Sequence, residues 1–441
     1  MKTMFTTTRD IFQLQELRSR LFYTVFFAAI YRLGTHIILP GLNPVALIKS
    51  KIGVKAILDS LLGGSLNSYS VLALGITPYI SASIMIQMAS ISIPYFQRLQ
   101  KEGAAGRAKK NQIIRLLTLL ITLVQSVPFL VEAIYNQKKA LLVNKYYFFA
   151  VGILLIVAGT MFSLWLGDRI TEKGVGNGTS VLIMVGIVSN LPGGIWREYE
   201  NCSSQDYPTQ FLLFFIVELL ILFFITLLLI AFMQAKRKIY LQYARQMINS
   251  QQQIYQHNRP HLPIKVNGSG VMPIIFANLF LVGILMVARL LRERLEVASW
   301  LAKKLADQHT WEFNAAQAFL VFTGTFLYTA VFTNPVEIAD DLKRNNGFIP
   351  GVKPGKPTSN YIDSIISKIT LPGATFLAAI AMLPSGAIYF GITKEFSRFY
   401  GGTSMIILIG VILEIVQQIE SYLFMRYYDR MIQGPNLLPS T

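Results

Sequence analysis

The sequence predicts an all-α membrane protein of ten transmembrane helices, arranged as two inverted five-helix halves with one re-entrant half-helix. Three observations carry this expectation: long apolar runs, the division of lysine and arginine among the loops between them, and a local pattern that occurs twice.

Of 441 residues, 53% are hydrophobic and only 14% charged, and the mean hydropathy is +0.47. A soluble domain carries about 25% charged residues, so lipid must face much of this chain. The net charge of +17 fits either nucleic acid or loops anchored at a cytoplasmic face, and its placement decides between the two. A single cysteine, Cys202, excludes an intramolecular disulfide, and His36, His257, His261 and His309 show no metal-ligand spacing. No metal, cofactor or catalytic residue is therefore expected.

A helix crosses the hydrocarbon core with about 20 apolar residues. Such runs occupy residues 21–39, 71–93, 113–134, 146–166, 210–233, 270–291, 315–333, 368–390 and 402–425. The first follows Arg18 and Arg20, contains Arg32 and lacks a small-residue cleavage site, which reads as a retained span and not a signal peptide. A tenth candidate, Thr179 to Leu191, is ambiguous by hydropathy alone. Charge resolves it, because cytoplasmic loops carry excess lysine and arginine and one span more or less flips every later loop. With ten spans the basic residues divide 25 to 13 between the two sides, with Arg32 and Arg289 inside spans; with nine they divide 19 to 19. Ten spans with both termini cytoplasmic is the expected topology.

The stretch Ala56 to Leu66 is too short to cross and is followed by Asn67 and Ser68. It reads as a half-helix that re-enters the membrane under a protein cover, or alternatively as an amphipathic surface helix. The doubled pattern is Gly75-Ile76-Thr77-Pro78-Tyr79-Ile80 and Gly270-Val271-Met272-Pro273-Ile274-Ile275, each opening the second long helix of its half. Five spans per half make the copies run in opposite directions, dividing the chain at residues 1–200 and 201–441. Proline-interrupted segments at matching positions of inverted halves point to the working interface of a transport protein.

Ionisable residues inside spans are few: Arg32, His36, Glu218, Arg289, Glu414 and Glu420. Arg289 and His36 lie near predicted helix ends, where snorkelling accounts for them. Glu218 and Glu414 are what a proton-coupled carrier of small solutes would need, and they define the rival function. The run 71–93 has no charge but carries Thr77, Ser81, Ser83 and Gln87, which either bond a neighbouring helix or face a partly wet interior. The loops 234–269 and 334–370 exceed what a helix connection needs and carry Lys236, Arg237, Lys238, Lys343, Arg344, Lys353 and Lys356. Anionic lipid or a cytoplasmic docking partner would account for this charge.

One set of motifs runs through the stretch from Leu72 to Ile84 with Gln87, Gln100 to Gly103 with Gly106-Arg107, Gly174-Val-Gly-Asn-Gly178 and His261 to Val266. It continues through Gly270 to Phe276, Asn334 to Asp340, Phe348 to Gly355 and Gly401 to Ser404, collinear from about residue 12 to 430. In these motifs the chain resembles the SecY family of protein-conducting channels. Two departures stand out. Lys353 occupies a position where the family usually has arginine, losing the planar fork that binds carboxylates. The loop tip Asn249 to Ile254 lacks the family's frequent basic pair.

The resemblance implies an hourglass channel whose plug is the segment 56–66 and whose lateral gate lies between the second and seventh helices. It implies a pore ring of Ile76, Ile80, Ile183, Ile187, Ile275 and Ile407, and gate residues Ser81, Gln87, Gln125 and Asn278. The residues expected for cytoplasmic docking are Arg237, Lys238, Lys343, Arg344 and Lys353. The implied partners are SecE-like and SecG-like small membrane subunits, a SecA-type motor ATPase, the ribosome, signal-sequence-bearing polypeptides and membrane lipid. The implied place is the cytoplasmic membrane of a bacterium.

Overall fold

The computed structural model describes residues 14–42, 69–136, 142–203, 208–243, 260–268, 270–290, 300, 304, 310–397 and 399–433. The expected plug at 56–66 and the loop tip at 249–254 lie outside the described residues. The chain divides into two compact units, residues 1–197 with 407–441, and residues 198–406.

The first unit opens with α1 (Gln15–Gly34). A helix was expected from residue 71, but α2 spans Thr77–Ser92 and residues 71–76 are irregular. The cause is local: Gly75 sits at φ +49°, and Pro78 occupies the helix's first turn, where its missing N–H costs nothing. This buried irregular stretch keeps its backbone paired, with Leu39 N–H donating to Tyr69 O and Val71 N–H to Ile37 O, each at 2.9 Å. Pro94 forces Ile93 into an extended conformation and separates α2 from α3 (Pro94–Lys101).

Three long helices follow: α4 (Gly103–Asn136), α5 (Lys145–Lys173) and α6 (Gly178–Ser203). The irregular segments 38–42 and 69–74, α4 and α5 share a core of Leu39, Leu42, Tyr69, Leu74, Phe129, Leu130, Phe148 and Ile156. Gly159 of α5 makes this approach possible, since a β-carbon there would lie 2.2 Å from Val71 O.

The turn from α5 to α6, Gly174-Val-Gly-Asn-Gly178, is held by side chains distant in sequence. Val175 N–H donates to Thr24 Oγ1 at 2.9 Å, Gly176 N–H to Gln418 Oε1 at 2.7 Å and Gly178 N–H to Thr171 Oγ1 at 2.8 Å. Asn177 Oδ1 accepts from Thr179 N–H at 3.1 Å and caps α6. Losing either distant acceptor strands a buried donor, so Thr24→Val and Gln418→Leu are each expected to destabilise the unit by about 1–3 kcal/mol. Thermal unfolding of the detergent-solubilised protein checks this, and unchanged transitions would show that the turn does not depend on these bonds.

The second unit takes α6 from Glu198 onward and then α7 (Pro208–Gln234), whose large apolar residues are mostly exposed. Then come β1 (Lys236–Tyr240), β2 (Gln242–Tyr243), β3 (His261–Lys265), α8 (Met272–Leu290), α9 (Trp311–Phe332) and α10 (Pro335–Arg344). It ends with β4 (Gly347–Phe348), α11 (Lys356–Tyr389) and α12 (Lys394–Ser397). The last helix, α13 (Gly402–Gln433), groups from Ile407 onward with the first unit.

Each of the ten expected spans falls on a described helix. Seven of those helices are long and apolar enough to cross a membrane, including α6, which contains the ambiguous Thr179–Leu191. The other three are α1, α2 and α8.

Candidate functional site

The six isoleucines occupy helix starts and helix interiors of both units. Ile76 directly precedes α2 and Ile80 stands one turn on, with Ile80 N–H donating to Ile76 O at 3.2 Å. Ile183 and Ile187 repeat that spacing on α6, so each pair shares a helix face. Ile407 lies on α13, and Ile275 lies in the first turn of α8 in the second unit. Ile76, Ile187, Ile275 and Ile407 are buried, while Ile80 and Ile183 are half-buried. Close packing holds Ile76 in place, its Cδ1 being 3.4 Å from where a β-carbon on Gly167 of α5 would stand.

The polar residues of α2 bond within their own helix: Ser81 Oγ donates to Thr77 O at 3.1 Å and Gln87 Nε2 to Ser83 Oγ at 3.2 Å. Thr77 Oγ1 and Gln125 Oε1 are buried without a hydrogen-bond partner. Asn278 of α8 accepts from Gln317 Nε2 of α9 at 3.0 Å. One turn before Gln317, Asn314 Oδ1 accepts from Ser385 Oγ of α11 at 2.7 Å. These four buried side chains lock α8, α9 and α11 together, each cross-helix bond in lipid contributing about 0.6–2 kcal/mol. Sequence reading singled out Asn278 alone. Its partner Gln317 and the neighbouring Asn314 show only as two polar residues three apart at the start of an apolar run.

The two acids of the rival function differ. Glu414 is exposed, whereas Glu218 is half-buried, with its Oε2 buried and unbonded. Tyr400 donates its hydroxyl to the backbone carbonyl of Glu218 at 2.8 Å. Glu198 is fully buried in the C-terminal part of α6 and accepts from the backbone N–H of Thr393 at 2.9 Å and from its hydroxyl.

The two long basic loops form one body. β1 pairs antiparallel with β3, and β2 pairs antiparallel with β4, so residues 234–243 bridge both loops. Beneath the strands Ile239, Leu241, Leu342, Ile349, Ile362 and Ile366 share a core. Arg237, Lys238, Lys343, Arg344 and Lys353 are all exposed on this body. Asn334 caps α10 through Val336 N–H at 3.1 Å, and Lys343 and Arg344 fall in its last turn, where cations complement the helix dipole. The register adds what spacing could not show. Lys236 stands directly opposite Lys265, on the strand face shared with Lys238, Tyr240 and His261, while Arg237 shares the core-facing side with Ile239. Directly opposed like charges destabilise a ribbon, so this face is built at a cost to its own fold.

The SecY family model matches residues 70–416. The protein translocase subunit SecY of Aquifex aeolicus is 39% identical over 96% of this chain and 99% of its own length. The chain belongs to the SecY family. The SecY subunit of Bacillus subtilis is 35% identical over 96% of this chain and 99% of its own length. Among solved structures, that of a protein-conducting channel superposes with a TM-score of 0.66 at 15% identity, covering 95% of each chain. Sec61 from the canine ribosome-channel complex of the endoplasmic reticulum gives 0.62 at 14% identity, also covering 95% of each chain. This is a multi-pass membrane protein with the fold of a protein-conducting channel, and within the SecY family it is a protein translocase subunit.

Proposed function

We propose that the chain is a passive, gated polypeptide channel without catalytic residues, working in a bacterial cytoplasmic membrane with both termini on the cytoplasmic side. The observation that carries this reading is the chemistry of the six matched positions. All are isoleucine, and four are withheld from solvent. An apolar constriction expels water and blocks ions, and its side chains offer a passing peptide no hydrogen bond that would hold it.

In this reading residues 1–200 and 201–441 form the two inverted halves, and the segment 56–66 is the plug. The lateral gate runs along α2 and α8 with Ser81, Gln87, Gln125 and Asn278. The unbonded Thr77 Oγ1 and Gln125 Oε1 support it, since such atoms are a cost that an entering segment can relieve. Signal-bearing segments leave sideways because each Leu, Ile, Phe or Val gains about 0.3–0.6 kcal/mol in lipid.

Energy comes from a SecA-type motor or a translating ribosome docked on the basic loop body, and SecE-like and SecG-like subunits complete the complex. The ribosome is present in the complexes of two fold neighbours, canine Sec61 and yeast Ssh1.

The test is motor-driven uptake of a secretory precursor into proteoliposomes by the reconstituted complex. The variant Glu218→Gln/Glu414→Gln is expected to keep at least half of the wild-type rate, because a passive channel needs no coupling acid. Abolished uptake with intact assembly would instead favour the carrier.

A further inference from the structure

We propose that the common end of α1 and α5 binds one phospholipid carrying a zwitterionic, primary-amine headgroup. A cavity of about 550 Å³ opens there, lined by Glu16, Ser19, Arg20 and Tyr23 on α1 and by Glu172 and Lys173 at the end of α5. The two helices run antiparallel, Phe27 meeting Trp165 at 6.4 Å in an edge-to-face contact. The apolar runs 21–39 and 146–166 both stop beside the cavity, which puts it at headgroup level whichever side of the membrane it faces.

Charge selects the ligand. The cavity holds two cations and two carboxylates, so a purely anionic headgroup meets Glu16 and Glu172, and a purely cationic one meets Arg20 and Lys173. A headgroup with a phosphate and an ammonium satisfies both. The carboxylates have capacity left: Glu16 holds Arg20 only at 3.5 Å, Glu172 accepts from Arg169 at 2.7 Å, and both side chains are 62% exposed. Among the described residues Lys173 enters no ion pair.

A primary ammonium donates three hydrogen bonds to such carboxylates and a quaternary one donates none. The quaternary group's alternative, an aromatic cage, needs several rings around the cation, and Tyr23 is the one aromatic residue lining the cavity among the described residues. Deeper along the same helices, Phe22 stacks on Phe26 at 6.2 Å and Phe162 on Trp165 at 5.8 Å, all four rings exposed. They offer an apolar surface for the acyl chains of the same lipid.

The experiment is native mass spectrometry of the full chain released from mixed micelles holding equal phosphatidylethanolamine, phosphatidylcholine and phosphatidylglycerol. The wild type is expected to retain phosphatidylethanolamine about five-fold over each of the others. Glu16→Gln/Glu172→Gln should abolish the preference over phosphatidylglycerol. Arg20→Gln/Lys173→Gln should lower phosphatidylethanolamine retention about five-fold. A photo-crosslinker at Ser19 should capture lipid. Equal retention of the three lipids by the wild type, or an unchanged preference in either double variant with an unaltered unfolding transition, overturns the proposal. So does a Ser19 adduct with a polypeptide, which would make this a partner-helix site.

Discussion

Asparagine at Ile407 or Ile275 is expected to make the resting protein conduct ions, whereas leucine at the same positions leaves it sealed. Both side chains are buried, and leucine keeps volume and apolarity together. Asparagine changes volume far less than glycine would, but adds donors and acceptors that would hold water in the proposed constriction. An apolar environment charges about 1–3 kcal/mol for an unsatisfied amide, so water recruited by that amide becomes stable by a similar amount. Ion entry rises with it, by roughly tenfold to a hundredfold. Substrates with weakened signal sequences should pass more readily for the same reason, because the closed state loses part of its advantage. Half-buried Ile80 and Ile183 are the positions where asparagine disturbs packing least, and they separate loss of seal from loss of fold. The measurement is bilayer conductance of reconstituted protein without substrate. If asparagine and leucine variants are equally tight at several of the six positions, these residues do not form the seal.

What the sequence could show follows from what is local in it. A span is a run of apolar residues, so every expected span falls at least in part on a described helix, and the short Thr179–Leu191 needed only the charge balance of the loops to be counted. The late start of α2 was also written locally, in Gly75 and Pro78, but apolar content hid it because residues 72–76 are buried without being helical. Pairings across long separations were not legible. Nothing beside Gly174–Gly178 points to Thr24 or Gln418, which lie about 150 and 240 residues away. The same holds for Ser385 and Asn314, and for Lys236 and Lys265, whose opposition depends on a strand register that charge content cannot specify. The site shows the same division: residue types were readable, and the contacts that hold them were not.

The register of β1 and β3 yields a second large effect. Lys236→Glu with Lys265→Glu should lower motor-driven export roughly tenfold or more at low salt while leaving the ribbon as stable as before. The two lysines repel across the ribbon, and two glutamates repel equally, so the fold cost is exchanged like for like. Only the sign of the outward face changes, next to Lys238 and on the same body as Lys343, Arg344 and Lys353. An acidic partner surface that gained about 1.4 kcal/mol or more from this patch then loses it and meets repulsion. The single variant Lys265→Glu separates stability from docking more sharply, because it places a carboxylate opposite Lys236. That pair stabilises the ribbon by about 0.2–1 kcal/mol while removing one positive charge from the docking face and adding a negative one. Export should therefore fall as the unfolding transition rises, a combination that damage to the fold cannot produce. Reversing Arg344 and Lys353 should act in the same direction and flatten the fall of export with rising ionic strength, since the attraction that salt screens over about 8 Å is already lost. Export unchanged by the Lys236/Lys265 reversal, at low salt and with the motor limiting, would remove this face from the docking surface.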